Sequence, residues 1–499
     1  MSANPSVAVA APPMTLTQRV LSLSVAQGVD YGVQLLLPIV LARCLDTAEF
    51  GQYRLLWLVV GTVLALANLS MPSSLFYFLP RSDRATQRLY VNQTLIFLAA
   101  AGLVAGMVVG LWNAWMPETA RGLSTHGALV PAFVLLWVVA SMLDLLPTVD
   151  ERVGWQARAT IGLAAFRAAA LCATAIVTRD LGSVLVALLA FVVVKLGVLT
   201  TYVVKHHGLG GPLLRWPALL DQLRYAAPFG VGGALYLFRV QADQWIAATL
   251  FSLGMFASFS IAAVLEPLVS VFRQATSLAF LPSMRGLHKS GDLRGALALN
   301  SRANVMVAAV VFPVLAFVFA FAEDLVTVVY TATYIDAAPV MRVYIVGLAA
   351  LAIELATVTF LLRQGSFVLG LNFVTLVCSV MLSWYAARRF GLAGAAVGSV
   401  TAICVDRIVI LCRVSQIAKI PIRHLQNWRA LGLLLLLAVL AAVLALELAR
   451  SIGDAYFVHD GPLARLSLGG TVLALAYGAM YLCSRKTVAT VLRGHQQGD

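Results

Sequence analysis

Apolar residues run through this chain in stretches of about twenty, separated by short polar connections, from near residue 20 to near residue 484. About twenty residues is the length a helix needs to cross a hydrocarbon core roughly 30 Å thick. The runs predict about fourteen such helices, near 20–42, 55–79, 92–112, 127–148, 159–177, 182–204, 226–249, 257–281, 303–322, 340–362, 367–387, 391–412, 430–449 and 463–484. A transmembrane β-barrel would alternate apolar and polar positions over short segments, whereas Leu431 to Leu446 is apolar throughout. The pattern therefore predicts an all-α polytopic membrane protein.

Composition narrows the function classes. The 499 residues are 61% hydrophobic and only 11% charged, where a water-exposed surface needs nearer a quarter. The longest connections, 205–225, 282–302, 322–340 and 413–429, are too short to fold as domains of their own. There is no GxxxxGK[ST] loop to cradle phosphates and no Asp-x-Asp pair to hold a metal. ATP-driven export by this chain is excluded on that basis, and a nucleotide-sugar transferase is disfavoured. The chain is expected to be no enzyme and to need no cofactor. Six scattered cysteines without a CxxC read as packing residues. The seven histidines fall in loops or tails. The adjacent His206–His207 pair has no carboxylate close by in sequence, so a solvated loop is expected there rather than a metal site.

Charge then sets an orientation. With the N-terminus inside, the cytoplasmic segments carry 21 Lys and Arg from Arg19 to Arg493, against 9 in the outside segments. Both termini are therefore expected in the cytoplasm, and no cleavable leader is apparent in residues 1–15. Arg388–Arg389 runs against the bias and reads as an interfacial anchor. The net charge of +13 is accounted for by topology and by attraction to anionic lipid. No basic stripe lies away from the membrane flanks, so nucleic acid is not an expected partner.

A weak internal repeat appears at an offset of just over 200 residues. Ser74-Leu75-Phe76-Tyr77-Phe78-Leu79-Pro80 closes the second run, and Ser277-Leu278-Ala279-Phe280-Leu281-Pro282 closes the eighth. Phe50-Gly51-Gln52-Tyr53 and Phe256-Ala257-Ser258-Phe259 open them. The repeat implies two six-helix lobes, 1–204 and 226–412, joined by a cytoplasmic linker over 205–225. Two appended helices and a tail occupy 413–499. Within the linker, Leu213 to Arg224 is patterned to lie amphipathically on the inner surface.

Ionisable groups at membrane depth each cost about 2.5–3.5 kcal/mol on insertion scales and usually face a partner or a wet cavity. Here they are Asp30, Arg167, Lys195, Arg239, Asp243, Glu266, Arg273 and Glu354, with Asp144, Asp406 and Arg407 nearer the inner boundary. Gln27, Asp30, Tyr31 and Gln34 share one helical face, as do Tyr236, Arg239 and Asp243, and as do Glu266, Ser270, Arg273 and Ser277. These stripes are expected to converge on a central cavity between the lobes. For Arg239 and Asp243, mutual neutralisation at i, i+4 stands beside a functional reading. Asp30 and Glu354 have no opposite charge within one turn of their own helices.

At this point the chain resembles a family. About fourteen helices in a 6 + 6 + 2 order, an inside N-terminus and the loop Leu45-Asp46-Thr47-Ala48-Glu49-Phe50-Gly51-Gln52-Tyr53 resemble the oligosaccharide flippases of polysaccharide biosynthesis. These belong to the multidrug/oligosaccharidyl-lipid/polysaccharide exporter superfamily. The resemblance implies alternating-access transfer of a polyprenyl-diphosphate-linked oligosaccharide from the inner to the outer leaflet of the bacterial inner membrane. It would feed lipopolysaccharide or exopolysaccharide assembly, alongside a polymerase and export machinery. For the diphosphate, Arg239 and Arg273 are the first candidates and Lys195 the next, because the guanidinium fork suits phosphate oxygens. Tyr236, Tyr31 and Tyr77 would offer aromatic faces to sugars. Without a nucleotide site, a proton or sodium ion exchanged on Asp30, Asp243, Glu266 or Glu354 would drive the cycle. A multidrug extruder and a lipid II or teichoic-acid flippase are the alternatives, with a membrane polymerase or ligase behind them.

Overall fold

A computed structural model of the chain describes residues 16–111, 123, 126–208, 210–456 and 461–494. Among the described residues every regular element is a helix, and ten helices are long and apolar enough to span a bilayer. The chain is a polytopic all-α membrane protein.

The first expected run is α1 (Leu16–Cys44). The second is divided into α2 (Thr47–Asn68) and α3 (Met71–Phe78) at Leu69 and Ser70. Both of those residues hold positive φ, of 40° and 57°. The third to sixth runs form α4 (Arg84–Gly110), α5 (Leu129–Val149, with short 3-10 turns near its end), α6 (Val153–Thr178) and α7 (Leu181–His206). The seventh is α8 (Trp216–Leu250). Its first turns take up most of the stretch expected to lie on the inner surface, so that stretch is no separate surface helix from Trp216 onward. The reason is burial: Gln222 is fully enclosed and bonds Gln93, Ser74 and Thr94 at 2.7–2.9 Å.

The eighth run is broken into α9 (Leu253–Ala262) and α10 (Leu265–Lys289). It is followed by α11 (Leu293–Ala320) and a short α12 (Ala322–Val329). The tenth is also discontinuous, α13 (Ala337–Ala350) giving way to α14 (Ala356–Leu361). The eleventh and twelfth join in α15 (Gly365–Ala418), which is bent at Gly391, where φ is 68°. Beyond the bend, glycine is required again. A Cβ on Gly394 would strike the Ala386 carbonyl, and one on Gly398 the Ser383 side chain, so the two arms lie against each other. The last two runs are α16 (Trp428–Tyr456) and α17 (Gly461–Gly494), which pack together.

The chain forms two compact units. One comprises the described residues up to Cys44, then Leu66–Leu111 and His126–Gly230; the other comprises Leu45–Ala65 and the described chain from Val231. In the first, α1 packs on α6, α5 on both α4 and α7, and α6 on α7. Gly102 and Gly106 let α4 approach the α5 backbone: an added Cβ would lie 2.9 Å from the Leu135 carbonyl oxygen and 3.0 Å from that of Pro131. Close approach through small residues is how helices gain dispersion contact where no hydrophobic driving force separates them from lipid. In the second unit, α10 packs on α11, α13 on α15, and α11 on α16. Most of α2 belongs to this unit, with Gly51 against the Leu253 backbone at the start of α9.

Candidate functional site

Six of the ionisable residues at membrane depth surround one cavity of about 160 Å³ in the second unit. Arg239 and Asp243 reach it from α8, Glu266 and Arg273 from α10, Glu354 from the break between α13 and α14, and Arg407 from the second arm of α15. The spacing seen in sequence explains the placement. Asp243 follows Arg239 by four residues and Arg273 follows Glu266 by seven, so each helix turns one polar face inward.

The helix break is what delivers Glu354. Residues 351–355 leave the helix, and their backbone groups need other partners at a depth without water. Asn304 supplies them: its Nδ2 donates to the Glu354 carbonyl (3.3 Å) and its Oδ1 accepts from the Glu354 N–H (3.1 Å). Asn300, one turn away, donates to the same carbonyl at 3.0 Å. The carboxylate is thereby fixed, with Oε1 accepting from the Ala356 N–H and Oε2 lying 3.1 Å from Arg273 Nη1.

Asp243 is fully enclosed and takes a 2.6 Å hydrogen bond from the Tyr344 hydroxyl. Arg239 does not pair with it. No carboxylate lies within ion-pair distance of Arg239 among the described residues; its guanidinium lies 5.4 Å over the Tyr236 ring, and its buried Nε has no acceptor. Arg407 makes only a loose 4.0 Å approach to its neighbour Asp406. The cavity thus holds three arginines and three carboxylates, of which Arg273 and Glu354 form the one close ion pair among the described residues. Mutual neutralisation of Arg239 and Asp243 is not what the helix does, because Tyr344 already occupies the carboxylate.

The stripe on α1 goes elsewhere. Asp30, Gln34, Asp144, Arg167 and Lys195 line a separate cavity of about 170 Å³ within the first unit. The α1 stripe and the α8 and α10 stripes thus line two cavities, each inside its own unit. Asp30 is 2.9 Å from Arg167 Nη2 and accepts from Gln34 at 2.8 Å. Lys195 is 2.8 Å from Asp144 and lies 4.9 Å over Trp137. Both cations here have a carboxylate supplied by another helix, which spacing along one helix cannot reveal. Tyr31 is half exposed and Tyr236 likewise, while Tyr77 stacks on Tyr225 at 4.6 Å and carries Arg81 above it at 4.0 Å.

Tyr344, Ser399, Asn300 and Asn304 fall outside the residues that the sequence singles out. The last two do carry a signal, since two asparagines at i, i+4 mark a polar face leading into the ninth apolar run. The expectation that the His206–His207 pair lies away from any carboxylate is corrected: His207 Nε2 is 2.9 Å from Asp150 Oδ2, brought in from the turn before α6. Among the described residues no three His, Cys, Asp or Glu side chains gather as a metal site.

No family model matches the chain, and no curated protein matches it in sequence. Solved structures do. A lipid II flippase MurJ in an inward closed conformation aligns with a TM-score of 0.73 at 11% identity, covering 94% of this chain and all of the other. The chain shares its fold with that flippase over nearly its whole length. An inward-facing multidrug resistance transporter of the MATE family, assigned to the MOP superfamily, aligns at 0.61 with 14% identity over 80% of this chain and 99% of its own. The MATE multidrug transporter DinF-BH, solved as a complex, aligns at 0.55 with 12% identity over 81% and 96%.

Proposed function

We propose that this chain is a MOP-type flippase that moves a polyprenyl-diphosphate-linked oligosaccharide across the bacterial inner membrane, from the cytoplasmic to the outer leaflet. The observation that carries this reading is Arg239: a guanidinium at membrane depth with a buried Nε that no protein acceptor meets. Leaving such a group unpaired is costly, and a diphosphate oxygen is the acceptor it lacks. Arg273 and Arg407 add positive charge along the same wall. Tyr236, exposed beside Arg239, offers a face to the first sugar.

Transfer also needs a driving force. Glu354 suits reversible binding of a proton or sodium ion, because its partner Arg273 is a group that arriving phosphate would compete for, and a carboxyl that has taken a cation releases that arginine. Asp243 and Glu266 flank the same space and would share the role. Asp30 and Lys195, each held by its own ion pair, belong in this reading to the first unit's cavity, with a lesser part in the cycle.

The fold likeness to a lipid II flippase favours a second reading, in which the glycan is a peptidoglycan precursor. The two differ in cargo and agree on the diphosphate.

The test is a deletion strain assayed for lipid-linked oligosaccharide trapped on the inner leaflet, complemented by the wild-type chain and by Arg239→Gln. Restoration by the wild type and not by the variant is expected. Normal surface polysaccharide in the deletion strain, together with intact diphosphate-lipid transfer, would end this reading.

A further inference from the structure

A third polar cavity, of about 520 Å³, lies away from both of those above, at one end of the first unit. It is formed where three connections come together: the turn from α3 into α4, the turn from α5 into α6, and the end of α7. Alternation of the spans puts these three on one side of the membrane, at the depth where helix ends meet headgroups.

Its charge is lopsided. Arg84, Arg88, Arg152, Lys205, His206 and His207 face Asp150 and Glu151. Asp150 is already engaged: its Oδ2 accepts from the Tyr202 hydroxyl at 2.7 Å and lies 2.9 Å from His207 Nε2. Both of these donors are themselves buried. His206 is held as well, stacked on Tyr202 at 4.4 Å with Nδ1 donating to the Tyr202 carbonyl at 2.9 Å. Arg88 is laid along the backbone at Gly208, where an added Cβ would come within 3.3 Å of its Nη2. Arg84, Arg88, Arg152 and Lys205 have no ion-pair partner among the described residues. A wall of fixed donors around several unpaired cations is a phosphate receptor, and basic pockets between helix ends hold anionic headgroups.

We infer that this cavity binds a phosphate-bearing headgroup at the membrane surface, as a site distinct from the two mid-depth cavities. The inference does not depend on the proposed cargo.

The test is retention of lipid by the purified chain, read by native mass spectrometry after reconstitution with equal phosphatidylglycerol and phosphatidylcholine. The wild type is expected to keep phosphatidylglycerol in preference, and millimolar inorganic diphosphate to displace it. R88Q/R152Q/K205Q should lower retention tenfold or more, whereas R388Q/R389Q, which removes similar charge elsewhere, should not. If the triple variant fails to stay monodisperse, R152Q/K205Q provides the same reading. Diphosphate protecting the wild type but not the variant against heat, without lipid retention, would support the phosphate site and identify a soluble ligand as its source. Equal retention of both lipids, or undiminished retention by the variants without any diphosphate effect, overturns the inference.

Discussion

Arg273 and Glu354 meet at 3.1 Å from two different helices, and the acid sits where the tenth helix has surrendered its own hydrogen bonds. Both side chains are nearly buried, at 13% and 10% exposure. Removing one partner of such a pair leaves an uncompensated charge, which costs about 3–5 kcal/mol. Glu354→Ala should therefore lower the thermal midpoint sharply, and Arg273→Met/Glu354→Leu should recover most of the loss. Glu354→Gln keeps shape and most hydrogen bonds while abolishing ion exchange at that carboxyl. It strands the same arginine, so it is expected to lower the midpoint too, though less than Glu354→Ala, and to transport far more slowly per folded molecule. Full-rate transport by Glu354→Gln would falsify its part in coupling.

Arg239 behaves in the opposite way. Its Nε has no acceptor, so Arg239→Gln removes an unsatisfied group and should leave the thermal midpoint unchanged or raise it. Binding of polyprenyl diphosphate should weaken at least tenfold, about 1.4 kcal/mol or more. Arg239→Lys preserves charge without the planar fork and is expected to fall between the two. Titration calorimetry with the short-chain diphosphate separates these outcomes. A stability loss with unchanged affinity would mean the arginine is a packing residue.

Much of this is legible in the residues. Apolar run length gives the helical membrane class and locates nearly every helix, because a bilayer imposes one length on all of them. The polar faces of α8 and α10 are visible at helical spacing, and those residues do line one cavity. Partners from other helices are not visible. Nothing near Asp30 announces Arg167, 137 residues away, and nothing near His207 announces Asp150. Helix breaks are hidden for a related reason. Leu351–Leu355 is as apolar as its flanks apart from Glu354, and only the amides of Asn300 and Asn304 make a break there tolerable. The sharp bend at Gly391 likewise falls one residue past what reads as a three-residue connection, 388–390.

Asp30 and Arg167 provide a contrast to the site. The pair is 2.9 Å apart, with Arg167 9% and Asp30 34% exposed, so solvent screens the acid more than the base. Asp30→Asn is expected to destabilise through the arginine it strands, by about 1–3 kcal/mol. Asp30→Asn/Arg167→Gln should restore stability and retain most of the transport rate. A double variant that is stable yet inactive would move Asp30 into the coupling machinery.

Arg54 fastens α2 to α9 and sets a last expectation. Its Nε donates to Ser260 Oγ and its Nη2 to the Ser260 carbonyl, both at 3.0 Å, while Gly51 one turn earlier brings the backbones together at Leu253. Farther along α2, Thr62 is tied instead to α8, the Trp245 indole N–H donating to its hydroxyl at 3.0 Å. Arg54→Gln forfeits two charge-assisted bonds and should cost about 1.5–3 kcal/mol each at most, the two not being additive. Ser260→Ala removes one and leaves the carbonyl in place, so it should cost less than half as much. Gly51→Ala has no such graded response: its Cβ meets backbone, which cannot rotate away, and overpacking of this kind costs about 1–3 kcal/mol. Thermal midpoints in one detergent rank the three. If Gly51→Ala proves neutral, α2 and α9 are not held in the contact described, and the seam loses its structural basis.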